Sequence, residues 1–387
     1  MSVEPQTRSK AARPRPAGAK AAGPRTAYLV LGMHRSGTSA VTQLLALAGA
    51  SLPANVMPGD EHNAKGYFEP WKIAIFNDER LRAAGSAWDD IFAYPFRPLP
   101  DAEEALWLTR AGQLFDAEFR RGAWPLMKDP RATVLLPLWR QVLAARDISA
   151  RCVIPVRHPL AVAGSLARRD GFSPQKSVLI WSAYMLAAEA YARDLPCAVV
   201  GYDALLADWR AEVARIEAAH GAALPKLTPA AAKKIDAFLT PDLRHNAGAG
   251  ALAELGWTGA IAQQVLDWFE ARAAGGMPDR APLEAAAQEL ARRQADIGPL
   301  VPSAALAATR ADLVDARDRL AAAEAFQSEL RAEMEHQRQV LEAGWREAQA
   351  QATENFARME QAQVRLGQTE ALLDAVNTEL DAALAEP

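Results

Sequence analysis

Cysteine is scarce in this chain: two in 387 residues, Cys152 and Cys197. That count excludes a disulfide framework, and the spacing fits no metal motif. Each sits in a short apolar run, which predicts two inert, buried thiols in a reducing compartment. Long apolar runs are missing as well. No stretch approaches the roughly 20 residues that cross a bilayer as a helix. The first 25 residues lack the apolar core of a secretory signal. They carry Arg8, Lys10, Arg13, Arg15, Lys20 and Arg25 against one acid, Glu4, among Pro and Ala. This predicts a disordered basic tail over 1–25, with an electrostatic contact to anionic lipid or polysaccharide as the alternative. The expectation is a cytoplasmic protein without a transmembrane segment, a peripheral membrane contact being left open. A large charge imbalance is also lacking. The net charge of −4 gives no global field for a nucleic-acid partner, and none is expected. No cluster of His, Cys and acids suggests a metal. Gly164-Ser165 lacks the frame of a nucleophile elbow.

What is present is an alternation of buried strands and helices. Ala27–Leu31 is a continuous apolar run, as in a parallel strand covered on both faces. A glycine-punctuated loop, 32–38, follows it, and then a helical pattern that Gly49 stops. Further strands are expected at Trp124–Met127, Cys152–Val156 and Ala198–Val200. Helices should follow at about Val134–Ala145, at Leu160–Arg168 and from Ala204. Pro155 removes a ladder donor and predicts a bulge or a sheet edge there. The fold class expected is α/β: a three-layer, P-loop-like parallel sheet flanked by helices, over 26–225. Residues 226–302 are Ala-rich and read as a helical extension of that domain.

The last segment, 303–387, has a different character. No proline occurs between Pro302 and Pro387. Leu313, Leu320, Gln327, Met334 and Leu341 recur every seven residues, as do Met359, Leu366, Leu373 and Leu380. Ala362, Thr369, Val376 and Ala383 follow three residues after each of the second set. These are a and d positions of a long C-terminal α-helical coiled coil, with a stutter near Gly344. A homo-oligomer through 303–387 is expected. A solitary charged helix is the alternative, because many seam positions are Ala, Gln or Thr.

The most informative segment is Gly32-Met33-His34-Arg35-Ser36-Gly37-Thr38-Ser39. Two glycines, between a strand and a helix, let backbone N–H groups turn toward an anion, and the helix N-terminus adds partial positive charge. A nucleoside-triphosphate loop would carry Lys after its second glycine; Thr38 stands there instead. Arg35 supplies a guanidinium that can meet an oxyanion with two donors. Such a loop suits a 5′-phosphate joined to another small anion.

This string resembles the 5′-phosphosulfate loop of bacterial sulfotransferases. The resemblance extends to Gly66-Tyr-Phe-Glu69, Asn77-Asp78, Trp88-Asp-Asp90, Lys128-Asp-Pro-Arg131 and Arg157-His-Pro159 with Ser165. It covers about residues 26–210. It implies transfer of a sulfuryl group from 3′-phosphoadenosine 5′-phosphosulfate (PAPS) to an acceptor hydroxyl on a saccharide or glycolipid, leaving 3′,5′-adenosine bisphosphate, with no metal. Donor-binding candidates are Gly32, His34, Arg35, Ser36, Gly37, Thr38 and Ser39 in the loop. Arg157 and Ser165 are the resemblance's candidates for the 3′-phosphate. The acceptor hydroxyl needs a base within hydrogen-bond reach. Glu69 ranks first, Glu61 and His62 follow, and Lys128 is a candidate contact to the sulfuryl group or the acceptor. Arg168 and Arg169 are expected to be solvated or paired with Asp170. Two rival readings stay open: another P-loop group-transfer enzyme of kinase type, and a non-catalytic coiled-coil scaffold carrying a retired enzyme domain.

Overall fold

The computed structural model describes residues 25–57, 66–120, 122–240, 250–301 and 304–384. The basic tail, apart from Arg25, lies outside these residues, as do Glu61 and His62. Two compact units make up the chain, Met1–Thr309 and Arg310–Pro387.

The first unit is built on four parallel strands: β1 (Arg25–Val30), β2 (Leu126–Lys128), β3 (Ile148–Val156) and β4 (Cys197–Gly201). Their order in the sheet is β2-β1-β3-β4. Helices α1 (Thr38–Leu47), α2 (Trp71–Ala83) and α3 (Asp101–Phe119) lie between β1 and β2 in the chain. After β2 come α4 (Arg131–Val134) and α5 (Leu136–Ala144), and after β3 come α6 (Pro159–Asp170) and α7 (Pro174–Ala192). Beyond β4 are α8 (Tyr202–Ala207), α9 (Trp209–His220), α10 (Pro229–Phe238), α11 (Trp257–Ala273) and α12 (Ala281–Ile297). Short 3₁₀ turns at Leu252–Leu255 and Gly298–Leu300 flank the last two.

Strand alternation divides the core into two apolar layers. Ala27, Leu29, Met127, Cys152, Ile154 and Val156 face one layer, with Phe76, Trp139, Trp181, Tyr184 and Phe269 from the helices. Tyr28, Val30, Leu126, Val153, Ala198 and Val200 face the other, with Val41, Leu44, Leu45, Leu205, Trp209 and Ile235. The result is a three-layer α/β fold. The region after 226 joins both layers, through Ile235 on one side and Ile261, Val265 and Leu290 on the other.

Four local expectations change in the structure. The helix expected at 134–145 is two, α4 and α5, because Pro137 sits in the first turn of the second. The second strand starts at Leu126, although Pro125 O still accepts from Tyr28 N. Pro155 is neither at a bulge nor on an edge strand. Its register with β4 is unbroken, Pro155 opposite Val200. The ladder alternates sides: Cys152 N donates to Pro196 O, and Val153 O accepts from Leu31 N. Residue 155 therefore turns its missing donor toward β1, which has already ended at Val30 opposite Val153. No ladder bond is lost there. Finally, Cys197 is half-buried while Cys152 is fully buried. The two are opposite each other in the sheet. Contact with Cys197 and burial push the Cys152 thiol well up, so it remains a neutral thiol.

The second unit is helical. Its described residues belong to one helix, α13 (Ala304–Leu384), that begins in the last residues of the first unit and runs through Gly344 and Gly367 without a break. No helix among the described residues is long and apolar enough to cross a membrane.

Candidate active site

Parallel sheets place ligands at the carboxyl ends of their strands, where the strand order reverses. Here the order β2-β1-β3-β4 puts that switch point between β1 and β3. The glycine loop leaves the end of β1, and Arg157 leaves the end of β3.

The loop is held in a tight, partly left-handed path. Gly32 and Gly37 have φ of 123° and 92°, and Arg35, a non-glycine residue, has φ of 68°. A left-handed Arg costs on the order of 1–2 kcal/mol. Two bonds hold it: Arg157 Nη1 donates to Arg35 O at 3.0 Å, and Arg35 Nε donates to Ser165 Oγ at 2.7 Å. Gly32 N donates to Thr133 Oγ1 at 2.8 Å, tying the start of the loop to α4. At the other end, a Cβ on Gly37 would lie 2.3 Å from the Tyr202 ring. The same ring carries the Arg157 guanidinium, 4.8 Å from its centroid. Thr133 and Tyr202 are site-shaping residues that no sequence motif indicated.

The N-terminus of α1 is open. Ser173, Asp208 and Thr228 cap their own helices with side-chain oxygens, whereas α1, like α2, α3, α4, α5, α8, α11 and α12, has no side-chain cap. At α1 the cap is Gly37, with no side-chain bond and no acid in the first turn. Beside it, Ser36 Oγ and His34 Nε2 are buried without a hydrogen-bond partner among the described residues. Buried polar atoms are ordinarily satisfied. An uncapped helix start with two orphaned polar atoms and nearby cations fits an anionic group.

The electrostatics agree. Burial, followed by the charges of Arg169, Arg131, Lys128 and Arg35, holds His34 well below the ordinary histidine range. It is a neutral imidazole at neutral pH, able to donate or accept but not to bring charge. Burial, then Arg169 and Arg157, pulls Arg35 below its ordinary value. Arg169 pairs with Asp170 at 2.8 Å and lies over the Trp88 ring, 5.2 Å from its centroid. Trp88 in turn meets the edge of His34.

On the other flank, β2 delivers Lys128. Its Nζ lies 2.5 Å from Glu69 Oε1, 3.0 Å from Tyr67 O and 3.4 Å from Ser39 Oγ. Glu69 and Lys128 are both almost fully buried. Arg131 Nη1 reaches Asp129 Oδ1 at 2.7 Å and Glu69 Oε2 at 3.6 Å, and its Nε reaches Asp78 Oδ1 at 2.7 Å. Burial opposes the Arg131 charge, yet Asp129, Asp78 and Glu69 outweigh it and raise its pKa. Asn77 Nδ2 donates to Asp129 Oδ2 at 2.6 Å, and Trp139 Nε1 donates to Asn77 Oδ1 at 3.0 Å. The chain of bonds fixes the Lys128–Arg131 turn from behind.

The structure thus brings together two groups. Arg35, Arg157 and Ser165 form one cluster, so Arg35 sits with the pair assigned by resemblance to the 3′-phosphate. Lys128, Glu69 and Ser39 form the other, at the start of α1. Among the described residues no group of three or more His, Cys, Asp or Glu side chains is arranged to hold a metal ion.

No family model matches the chain, and no curated protein matches it. Among solved structures the chain shows a distant likeness to the sulfotransferase domain from the Synechococcus PCC 7002 olefin synthase. The two are 17% identical, over 70% of this chain and 95% of that one, with a TM-score of 0.35.

Proposed function

We propose that this chain is a sulfotransferase that moves a sulfuryl group from PAPS to an acceptor hydroxyl on a saccharide or glycolipid. The observation that supports it best is the pairing of an uncapped, glycine-turned helix start with a second cationic cluster across the β1/β3 switch point. PAPS is anionic at both ends, with a 5′-phosphosulfate and a 3′-phosphate. In this reading the amides and hydroxyls of Thr38 and Ser39, with Ser36 Oγ and His34 Nε2, hold the first. Arg157, Arg35 and Ser165 hold the second. A triphosphate would need a lysine where Thr38 stands, so a kinase-like reading has less support. The acceptor class follows from the resemblance of the motifs.

PAPS supplies the electrophilic sulfur. Lys128, beside Ser39, neutralises charge that develops on the sulfuryl and phosphate oxygens during transfer. Glu69 keeps Lys128 aimed, since their 2.5 Å contact is buried. The decisive test is a thermal shift. The bisphosphate product should raise the melting temperature in a dose-dependent way, and ATP with Mg²⁺ should not. Incubation with ³⁵S-labelled PAPS and pooled cell-envelope glycans should then label a glycan fraction. Stabilisation by ATP with Mg²⁺ alone would reverse the assignment.

A further inference from the structure

The proposed transfer needs a base that an incoming hydroxyl can touch. Three carboxylates surround Arg131, and they differ in access. The Glu69 side chain is 3% exposed and that of Asp129 is 0%, whereas Asp78 is 29% exposed. They also differ in how fully their oxygens are used. Glu69 has Lys128 on one oxygen and Arg131 near the other. Asp129 has Arg131 on one and Asn77 on the other. Asp78 on α2 accepts from Arg131 Nε through Oδ1 alone, leaving Oδ2 without a hydrogen bond from the described residues. Arg131 is itself locked by Asp129, so it orients Asp78 much as the third member of a triad orients a base.

Resting on the proposed sulfuryl transfer, we infer that Asp78 is the catalytic base. Asp78 Oδ2 takes the proton of the acceptor hydroxyl as the acceptor oxygen bonds to sulfur. The bond from sulfur to the bridging oxygen breaks, and that electron pair leaves with the adenosine bisphosphate. The proton stays on Asp78 until solvent removes it, and Arg131 keeps its partners Asp129 and Glu69 meanwhile. Glu69, buried against Lys128, is then a positioning residue.

The surroundings of Asp78 suit the role. Burial raises its carboxyl to about 6, with Arg131 pulling it down, Asp129 pushing it up and Arg82 pulling it down. Tyr184 of α7 also feels its charge and, held neutral by burial, brings none of its own. A base that ionises just below neutrality is available at pH 7 and still accepts a proton readily.

The test uses the full-length chain and ³⁵S-labelled PAPS, with water and pooled glycans as acceptors. Calorimetry with 3′,5′-adenosine bisphosphate runs alongside. In the wild type, turnover should rise about tenfold per pH unit below about 6 and level off above it. Asp78→Asn should cut turnover by roughly 10²–10⁴ and abolish that limb, while bisphosphate affinity stays within about twofold. Asp78→Glu should recover part of the rate with a displaced limb. If Asp78→Asn no longer binds bisphosphate, Asp78→Ser gives the same comparison without an amide beside Arg131. Near-normal turnover with the limb intact in either variant overturns the inference alone, as does a limb that disappears in Glu69→Gln but persists without Asp78. A wild type that binds no bisphosphate, or binds it and turns over no PAPS, overturns the proposed function and this assignment together.

Discussion

At the scale of single residues, the site joins side chains far apart in the sequence. Arg35 and Ser165 are 130 positions apart, and Arg157 reaches back 122 positions to the Arg35 carbonyl. Each residue type was legible as an anion ligand, but their mutual contact was not, since no periodicity encodes it. Thr133 and Tyr202 act through shape and one hydroxyl, which leave no motif. Arg157→Ala should weaken bisphosphate binding by about 1.5–3 kcal/mol, the range for hydrogen bonds to charged groups. Unchanged affinity by calorimetry would remove Arg157 from the donor site. The Lys128–Glu69 pair makes a different prediction. Lys128→Met leaves a carboxylate that is 3% exposed with only Arg131, 3.6 Å away, as its cation, and breaking a buried pair costs up to about 3–5 kcal/mol. Removing both charges, in Lys128→Met with Glu69→Gln, should cost clearly less. Urea unfolding of the three proteins decides it, and equal losses in single and double variants would mean the pair does not act as a unit.

At the scale of elements, the strands were legible because a parallel strand covered on both faces is a short, unbroken apolar run. The step from β1 through the glycine loop into α1 was legible for the same reason, with glycines marking where the chain turns. Strand order was not, because it depends on how distant helices pack. Nor was the fate of Pro155, which depends on where a neighbouring strand stops. Gly37 shows how narrowly the loop is specified. Its φ is 92°, and the Tyr202 ring fills the space a side chain would need. Gly37→Ala should therefore destabilise the unit by more than about 1 kcal/mol. It should also abolish bisphosphate binding, because Tyr202 would have to move and it carries Arg157. Alanine tolerated at 37 with normal melting and normal binding would show that the loop is looser than its geometry implies. Tyr202→Ala in the Gly37→Ala background removes the clash but leaves the strain at φ 92° and opens a cavity where a buried ring stood, so it should restore neither full stability nor Arg157-dependent affinity.

At the scale of the whole molecule, the proposed donor and base residues all lie in one unit, and the described residues of the other show no cluster of reactive side chains. Along α13 the seam residues Leu366, Leu373, Val376 and Leu380 are 56–60% exposed within the single chain. Ion pairs such as Arg338–Glu342 and Arg358–Glu354 decorate the helix, but exposed i,i+4 pairs contribute only about 0.3–0.5 kcal/mol each. An 81-residue helix with a sustained apolar stripe gains much more by burying that stripe against another helix. A second copy of the chain presents the same stripe in the same heptad phase, so self-association is the expected use of this segment. Leu366→Asp with Leu373→Asp places charge in the seam and should dissociate the assembly. Gln368→Asp with Ala375→Asp adds the same charge two positions further round the heptad, facing outward, and should leave it intact. Light scattering at micromolar concentration reads the mass directly. Bisphosphate binding should be the same in all three proteins, because the seam carries no donor ligand. A wild type that is already monomeric would show that α13 serves a different partner. Dissociation of both double variants alike would show that net charge, and not the seam, controls assembly.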